Sequence, residues 1–403
     1  MTTMTKAPSP APAVFSIAAG VPFTDALAQG VLDEADGATD LSATRIFLPT
    51  RRACRALGDA FLRRSGGRAT LLPRMTALGE VDDDELALTT WSFTAPDINS
   101  GDIPPVIPGL KRQLLLSRLI MALDRDGTTP DQAARLAVEL ARLLDQVHTE
   151  RLSFDALAAI VPDAFAEHWQ KTLKFLTILT EHWPGVLAEI EAIDPAARRN
   201  LLLDAQGRAW KANPPDFPVI AAGSTGSIPA TANLLGVIAA LPRGRVVLPG
   251  LDPALSDDAW KALKPSHPQY GMGRLLDHLK IQPADVRPWQ AGGFARTPSA
   301  RGALINAALR PAGHALKKAP GFEQPGISSK GGPNNGPPDG VALKGLERLD
   351  CAEPGQEAAA IALIMRQTLE TPGQTCALVT PDRALARRVA AELGRWKIKV
   401  DDS

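Results

Sequence analysis

The order of apolar and polar positions divides the chain into stretches of two kinds. Val14–Ala18 is a short apolar run that reads as a strand, and a Gly-containing turn leads from it into a helix over Thr24–Glu34. "RIFLPT" (Arg45–Thr50) predicts a second strand, and "RRACRALGDAFLRR" (Arg51–Arg64) a second helix. Such alternation indicates a parallel sheet in an α/β domain. From about Pro108 to Glu191 the period changes. "LKRQLLLSRLIMALDR", "PDQAARLAVELARLLDQVHTE" and "AFAEHWQKTLKFLTILTEHWPGVLAEIEAI" keep three- and four-residue apolar spacing and show no strand pattern, which predicts an inserted all-helical block. Alternation returns with "FPVIAAG" as strand, "PATANLLGVIAAL" as helix and "GRVVLPGLD" as strand.

Gly and Pro dominate "GFEQPGISSKGGPNNGPPDG", residues 321–340, which reads as a linker. Beyond it the pattern predicts a helix in "EPGQEAAAIALIMRQTLE", a strand "TCALVT" (Thr375–Thr380), a helix in "PDRALARRVAAELGRW" and a strand "KIKV" (Lys397–Val400). So few βα units neither close a sheet nor cover both its faces. A polypeptide longer than these 403 residues is therefore expected.

Composition changes the picture in a few places. With 45% hydrophobic and 22% charged residues the chain has the make-up of an ordinary soluble protein. Net charge is zero, so any nucleic-acid binding must rest on a local patch. Cys54, Cys351 and Cys376 lie far apart with no ligand or disulfide spacing, which suits a reducing compartment. The polar, Pro-rich opening "MTTMTKAPSPAPA" lacks the apolar core of a signal peptide, and a cytoplasmic location is expected. The six histidines form no metal-binding pair, and no Ser/His/Asp or Cys/His set stands out. Asp252, Asp257 and Asp258 read as turn and helix-capping acids rather than a catalytic pair.

Three stretches carry candidate chemistry. The turn after the first strand, with Gly20, Val21, Pro22 and Thr24, stands where a P-loop would cradle phosphates, but no lysine follows before Arg45. "VIAAGSTGSIPATANLL" is a second Gly-rich strand–turn–helix. Gly223 and Gly226 are too close for a P-loop and do not form a dinucleotide fingerprint. The segment 45–74 holds eight arginines and one acid, Asp59, before an acidic run "GEVDDDEL". Arg51 and Arg52 fall in the first helical turn after Thr50, a candidate N-cap, where they oppose the helix dipole by roughly 0.3–1 kcal/mol each. The same helix end offers free N–H groups at the carboxyl edge of a strand, so arginines and amides together make a candidate anion site.

Taken together, "VFSIAAGVPFTDALAQGVL", "RIFLPTRRACRALGDAFLRR", "LLPRMTALGEVDDDE", "HPQYGMGRLLDHL" and "CALVTPDRALARRVAAELGRWKIKVDDS" resemble the AddB subunits of AddAB helicase–nucleases in their alphaproteobacterial form. The resemblance runs in order from about residue 13 to the end and is weakest across 315–342. It implies a disordered tip at 1–12 and a helicase-like (RecA-like) parallel-sheet domain over 13–107 and 210–315, with a helical insert at 108–209. A linker at 316–342 and the start of a second helicase-like α/β domain at 343–403 follow. In the family a nuclease domain lies further on.

The family's N-terminal half is similar to a superfamily 1 helicase. By that resemblance Gly20, Val21, Pro22 and Thr24 form a degenerate nucleotide loop without its lysine. Ala222, Gly223 and Ser224 form a degenerate acid-motif turn, with Ala222 and Gly223 in the places of the acids. Arg51, Arg52 and Arg55 fall in a DNA-contacting segment. The resemblance further implies a non-motor subunit that guides single-stranded DNA from duplex ends during double-strand break repair by homologous recombination. Its partner is an AddA-type subunit that uses ATP and Mg²⁺; neither a cofactor on this chain nor a membrane is implied. The chain departs from the family at Lys397, where glycine is usual, and in its looser Gly/Pro/Asn tract 329–338. A nucleotide-using Rossmann-type transferase and a protein-interaction scaffold are the alternatives that the residues leave open.

Overall fold

The computed structural model describes residues 12–35, 37–66, 70–78, 103–123, 127–153, 175–294, 300–311 and 340–401. The chain divides into two compact units, Met1–Pro320 and Gly321–Ser403. In the first, six strands form one parallel sheet in the order β3-β2-β4-β5-β1-β6. They are β1 (Val14–Ile17), β2 (Arg45–Leu48), β3 (Arg74–Ala77), β4 (Val219–Ala222), β5 (Gly244–Pro249) and β6 (Arg287–Pro288). Helices α1 (Phe23–Glu34) and α2 (Gly37–Ala43) link β1 to β2, and α3 (Arg51–Arg64) links β2 to β3. The fold is α/β.

Alternation within the strands explains why the sheet is covered on both faces. Val219 and Ala221 of β4 point into one core with Phe47, Val246 and Leu248. Ile220 and Ala222 point into the other with Ile46, Leu48 and Val247. All four β4 residues are buried, so this central strand shows a continuous apolar run instead of an alternating one. Leu27 and Val31 of α1 and Leu57 and Phe61 of α3 seal one face.

Between β3 and β4 lie helices α4 (Gly109–Leu123), α5 (Pro130–Glu150), α6 (Trp183–Glu189) and α7 (Pro195–Ala212), with a π-helical turn at Ile178–His182 before α6. α4, α5 and α6 share a core of their own, built on Ile107, Leu116, Ile120, Leu140, Leu144 and Trp183. The expected helix over 164–193 is described only from residue 175, and it runs through the π turn into α6, which ends at Glu189. After β4 come α8 (Pro229–Ala240), with Pro229 at its first position, then α9 (Asp257–Lys261), α10 (Tyr270–Leu279) and α11 (Ala300–Leu309). The edge strands β3 and β6 and helix α10 were not apparent in the apolar pattern. β3 is a polar "RMTA", and β6 is two residues long and includes a proline that only an edge tolerates.

The second unit holds α12 (Gly340–Leu343), α13 (Pro354–Leu369) and α14 (Arg383–Arg395). The last two pack through Ala358, Ala362, Leu385, Val389 and Leu393. The expected strands "TCALVT" and "KIKV" are corrected here: neither is a strand. A strand exists only with a ladder partner, and among the described residues of this unit none pairs with either segment. The acidic run 79–86 and most of the linker 321–340 lie outside the described residues. No described helix is long and apolar enough to cross a membrane.

Candidate nucleic-acid interface

Parallel strands direct their carboxyl ends to one edge, and the three candidate stretches follow β1, β2 and β4 there. β1 and β4 flank β5, so their ends stand about 10 Å apart, twice the strand spacing.

The turn after β1 is tight. Val21 donates its N–H to the Ala18 carbonyl at 3.2 Å, and Gly20 has φ +87°, the geometry that a type II turn demands at its third residue. The backbone closes on itself instead of wrapping around a guest. Pro22, the N-cap of α1, offers neither an N–H nor a side-chain acceptor. Asp25 occupies the first turn of α1 and receives a bidentate pair from Arg63, with contacts of 3.1–3.2 Å. An acid of the chain itself therefore already complements the dipole at the helix end where a phosphate would bind. Thr24 lies in the same turn and is half-buried.

The turn after β4 closes the space from the other side. Ala222 is fully buried, and Gly223 has φ +75° and donates its N–H to the Val247 carbonyl at 2.9 Å. A Cβ at Gly223 would stand 3.5 Å from the Phe23 ring and 3.5 Å from the Pro49 ring. The first residue of α1 and the residue after β2 thus converge on the position where the helicase resemblance expects an acid. Ser224 Oγ accepts the Gly226 N–H at 3.3 Å, so it serves the turn. Phe23 was missing from the sequence-based set. Its signal was there: an aromatic at the first helical position, where an anion site needs small or polar residues.

At α3 the expected cap is present. Thr50 Oγ1 accepts the Ala53 N–H at 3.1 Å. Arg51 at the first helical position is half-buried; Arg52 and Arg55 are exposed. At the far end Arg63 turns to Asp25, while Arg64 reaches Gln29 at 2.8 Å and lies 4.9 Å above the Phe294 ring. The last turn of this arginine-rich helix is tied to α1, and its first turn follows β2 at the carboxyl edge of the sheet. Asp252 accepts from the Ala254 N–H and from Asn306 Nδ2, and Ser256 caps α9 with Asp257 and Asp258 in its first turn. All three acids have structural work.

Among the described residues, the most heavily buried charge lies elsewhere, among the helices between β3 and β4. The Asp194 side chain is 2% exposed, with Arg112 Nε 2.8 Å from Oδ1 and His148 Nε2 3.5 Å from Oδ2. The Trp183 indole donates to Oδ2 at 3.0 Å. The Arg112 Nε–H does not point at Asp194, so that contact is an ion pair by proximity rather than a hydrogen bond. Arg112 spends its other two nitrogens on Asp145, at 3.0 and 2.9 Å. Burial by itself would push the Asp194 carboxyl up. The hydrogen bond from His148, the Arg112 charge and the Trp183 donor outweigh it and hold the group below the usual carboxylate range.

No protein-family model and no curated protein sequence matches this chain.

Proposed function

We propose that this chain is a DNA-guiding, non-motor subunit of a helicase–nuclease that processes double-strand breaks, holding single-stranded DNA beside an AddA-type partner that hydrolyses ATP. One observation carries the reading: the turns after β1 and β4 stand at one sheet edge, and neither carries the lysine or the acids that the helicase resemblance would place there. The turn with Gly20, Val21, Pro22 and Thr24 has no lysine where the resemblance calls for one, and Ala222 and Gly223 stand where it calls for acids. Without the lysine the β- and γ-phosphates lose their cation, and without the acids Mg²⁺ loses its anchor. The arginines at the start of α3 face the same edge and keep a use for phosphates, those of a nucleic-acid backbone. Contacts of that kind position a strand without reading its sequence. The RecA-like assignment and the cytoplasmic setting belong to the same proposal.

Binding of ATP and of a single-stranded oligonucleotide to the purified chain, each across a salt series, tests it. We expect no ATP hydrolysis and strand binding that weakens steeply with salt. Changing Arg51, Arg52 and Arg55 together to alanine should flatten the slope of log affinity against log salt by up to about 2, from about 0.7 per phosphate contact. Changing Arg63 and Arg64 should leave the slope alone. Tight nucleotide binding with none to the strand would favour a Rossmann-type transferase. Binding of neither would leave an interaction scaffold.

A further inference from the structure

Helices α4, α5 and α6 share a core that, among the described residues, takes no member from α7. α7 belongs to the sheet instead, where its Leu203 and Trp210 are buried. Between α5 and α7 run polar ties in place of a common core. Asn200 Nδ2 donates to the His148 carbonyl at 2.6 Å, and an Arg199 guanidinium nitrogen donates to Thr149 Oγ1 at 2.9 Å. Arg151, the cap of α5, sets one guanidinium nitrogen 2.8 and 2.7 Å from the two Asp204 oxygens, with the side chains 32% and 28% exposed. Pairing is incomplete, because Arg199 Nε and Asn200 Oδ1 are buried without a hydrogen-bond partner among the described residues. An interface made to stay shut rarely leaves such atoms unpaired.

The chain enters and leaves this block side by side. Val106, on the way into α4, pairs with Ile193, on the way out to α7, as an isolated parallel bridge. Ile107 donates its N–H to the Ile193 carbonyl and Ile193 donates to the Pro105 carbonyl, both at 3.0 Å. Asp194 follows directly and is gripped by Arg112, His148 and Trp183. This crossing is firm, whereas the Arg151–Asp204 tie lies further along α7 and is partly exposed. α7 leads to the amino end of β4, so it runs against the strands and its first turn lies toward the carboxyl edge. A body with its own core, fixed at a narrow crossing and fastened elsewhere by polar groups, can swing without breaking either core.

We propose that α4–α6 form a hinged body that pivots at 105–107 and 193–194. It is held shut by a latch, the end of α5 on α7, with Arg151–Asp204 as the clasp farthest from the pivot. Opening separates 148–151 from 199–204 and changes the clearance beside the carboxyl edge, whatever that edge binds. The hinge goes beyond the DNA-guiding reading and does not require it.

The test is double electron–electron resonance on the full chain, with Cys54, Cys351 and Cys376 changed to serine. Spin labels go on L136C of α5 and N233C of α8, both exposed positions. Opposite charges hold the clasp, so R151D and D204R should each add a second, longer distance to the single one of the parent. The swap R151D/D204R should remove it. E139A/R142A, which breaks an exposed ion pair inside the block, should leave the parental distance alone. A single unchanged distance in either R151D or D204R would make the seam a rigid interface and overturn the hinge. So would a swap that fails to restore the parent, or a control that opens as far. Labels at L110C and L136C, both on the block, separate swinging from melting. Their distance should stay constant in every variant; a change there would mean that the block unfolds, and the hinge would fall.

Discussion

At the scale of single residues, the most deeply buried charge among the described residues is Asp194. Its carboxylate is buried against Arg112, His148 and Trp183, so changing it to asparagine removes the charge that justifies burying Arg112. Breaking one partner of a buried pair costs about 3–5 kcal/mol. The lower end applies here, because Arg112 keeps Asp145. Urea denaturation of Asp194→Asn should show that loss. The pH dependence has a definite sign, since the folded-state pKa of Asp194 is depressed. Its stabilising contribution is complete above the unfolded value of about 3.9 and is lost as pH falls through the lower folded value. The parent should therefore lose more stability than the asparagine variant on acidification below about pH 4; parallel curves would remove Asp194 from the account. Nothing in the sequence announced this site except an Asp-Pro pair at a helix start. Its members come from four separate helices or helix ends, and only the packing brings 112, 148, 183 and 194 together. Thr50 and the α3 arginines were legible because a cap and its helix are contiguous in the chain.

At the scale of elements, four helices end alike. The residues Arg151, Glu191, Lys280 and Lys397 all have φ between 51° and 59°. Each donates its N–H three residues back, and the residue after it donates five back, as Ile398 does to Leu393 at 3.2 Å. This is the Schellman closure, in which the left-handed position favours glycine. The left-handed backbone at Lys397, with φ 59°, is a place where glycine would fit better than lysine. Lys397→Gly should therefore stabilise the second unit by about 1 kcal/mol, the strain of a side chain in the left-handed region. A midpoint that stays put or falls would mean that the lysine side chain makes up the difference. Helices α3 and α5 could be read to the residue because their caps and apolar stripes are local signals. The two C-terminal strands could not. "TCALVT" has the composition of a strand, but strand formation belongs to a pair, and among the described residues of this unit no segment pairs with it.

At the scale of the whole molecule, the parallel sheet was legible because alternating strands and helices leave few topologies, whereas its order was not. Order depends on which helix covers which face, and the sequence expresses that only through the sum of many contacts. The two units have separate cores of very different size. The first buries Leu, Ile, Val and Phe side chains on both faces of a six-stranded sheet. The second relies on Ala358, Ala362, Leu385, Val389 and Leu393, while Leu363, Ile364 and Val379 stay exposed at 57%, 53% and 94%. A unit with so small a core is marginal on its own. Denaturation of the full chain should thus be biphasic, the second unit unfolding first with the weaker dependence on denaturant, which scales with the surface exposed. Trp396 is the only tryptophan beyond residue 320, and the Arg366 guanidinium lies 4.9 Å above its ring, so its fluorescence reports that unit. In Trp396→Phe the early phase should vanish from fluorescence and persist in far-UV circular dichroism, where α13 and α14 still contribute. A single transition seen alike by both probes would mean that the second unit draws its stability from the first.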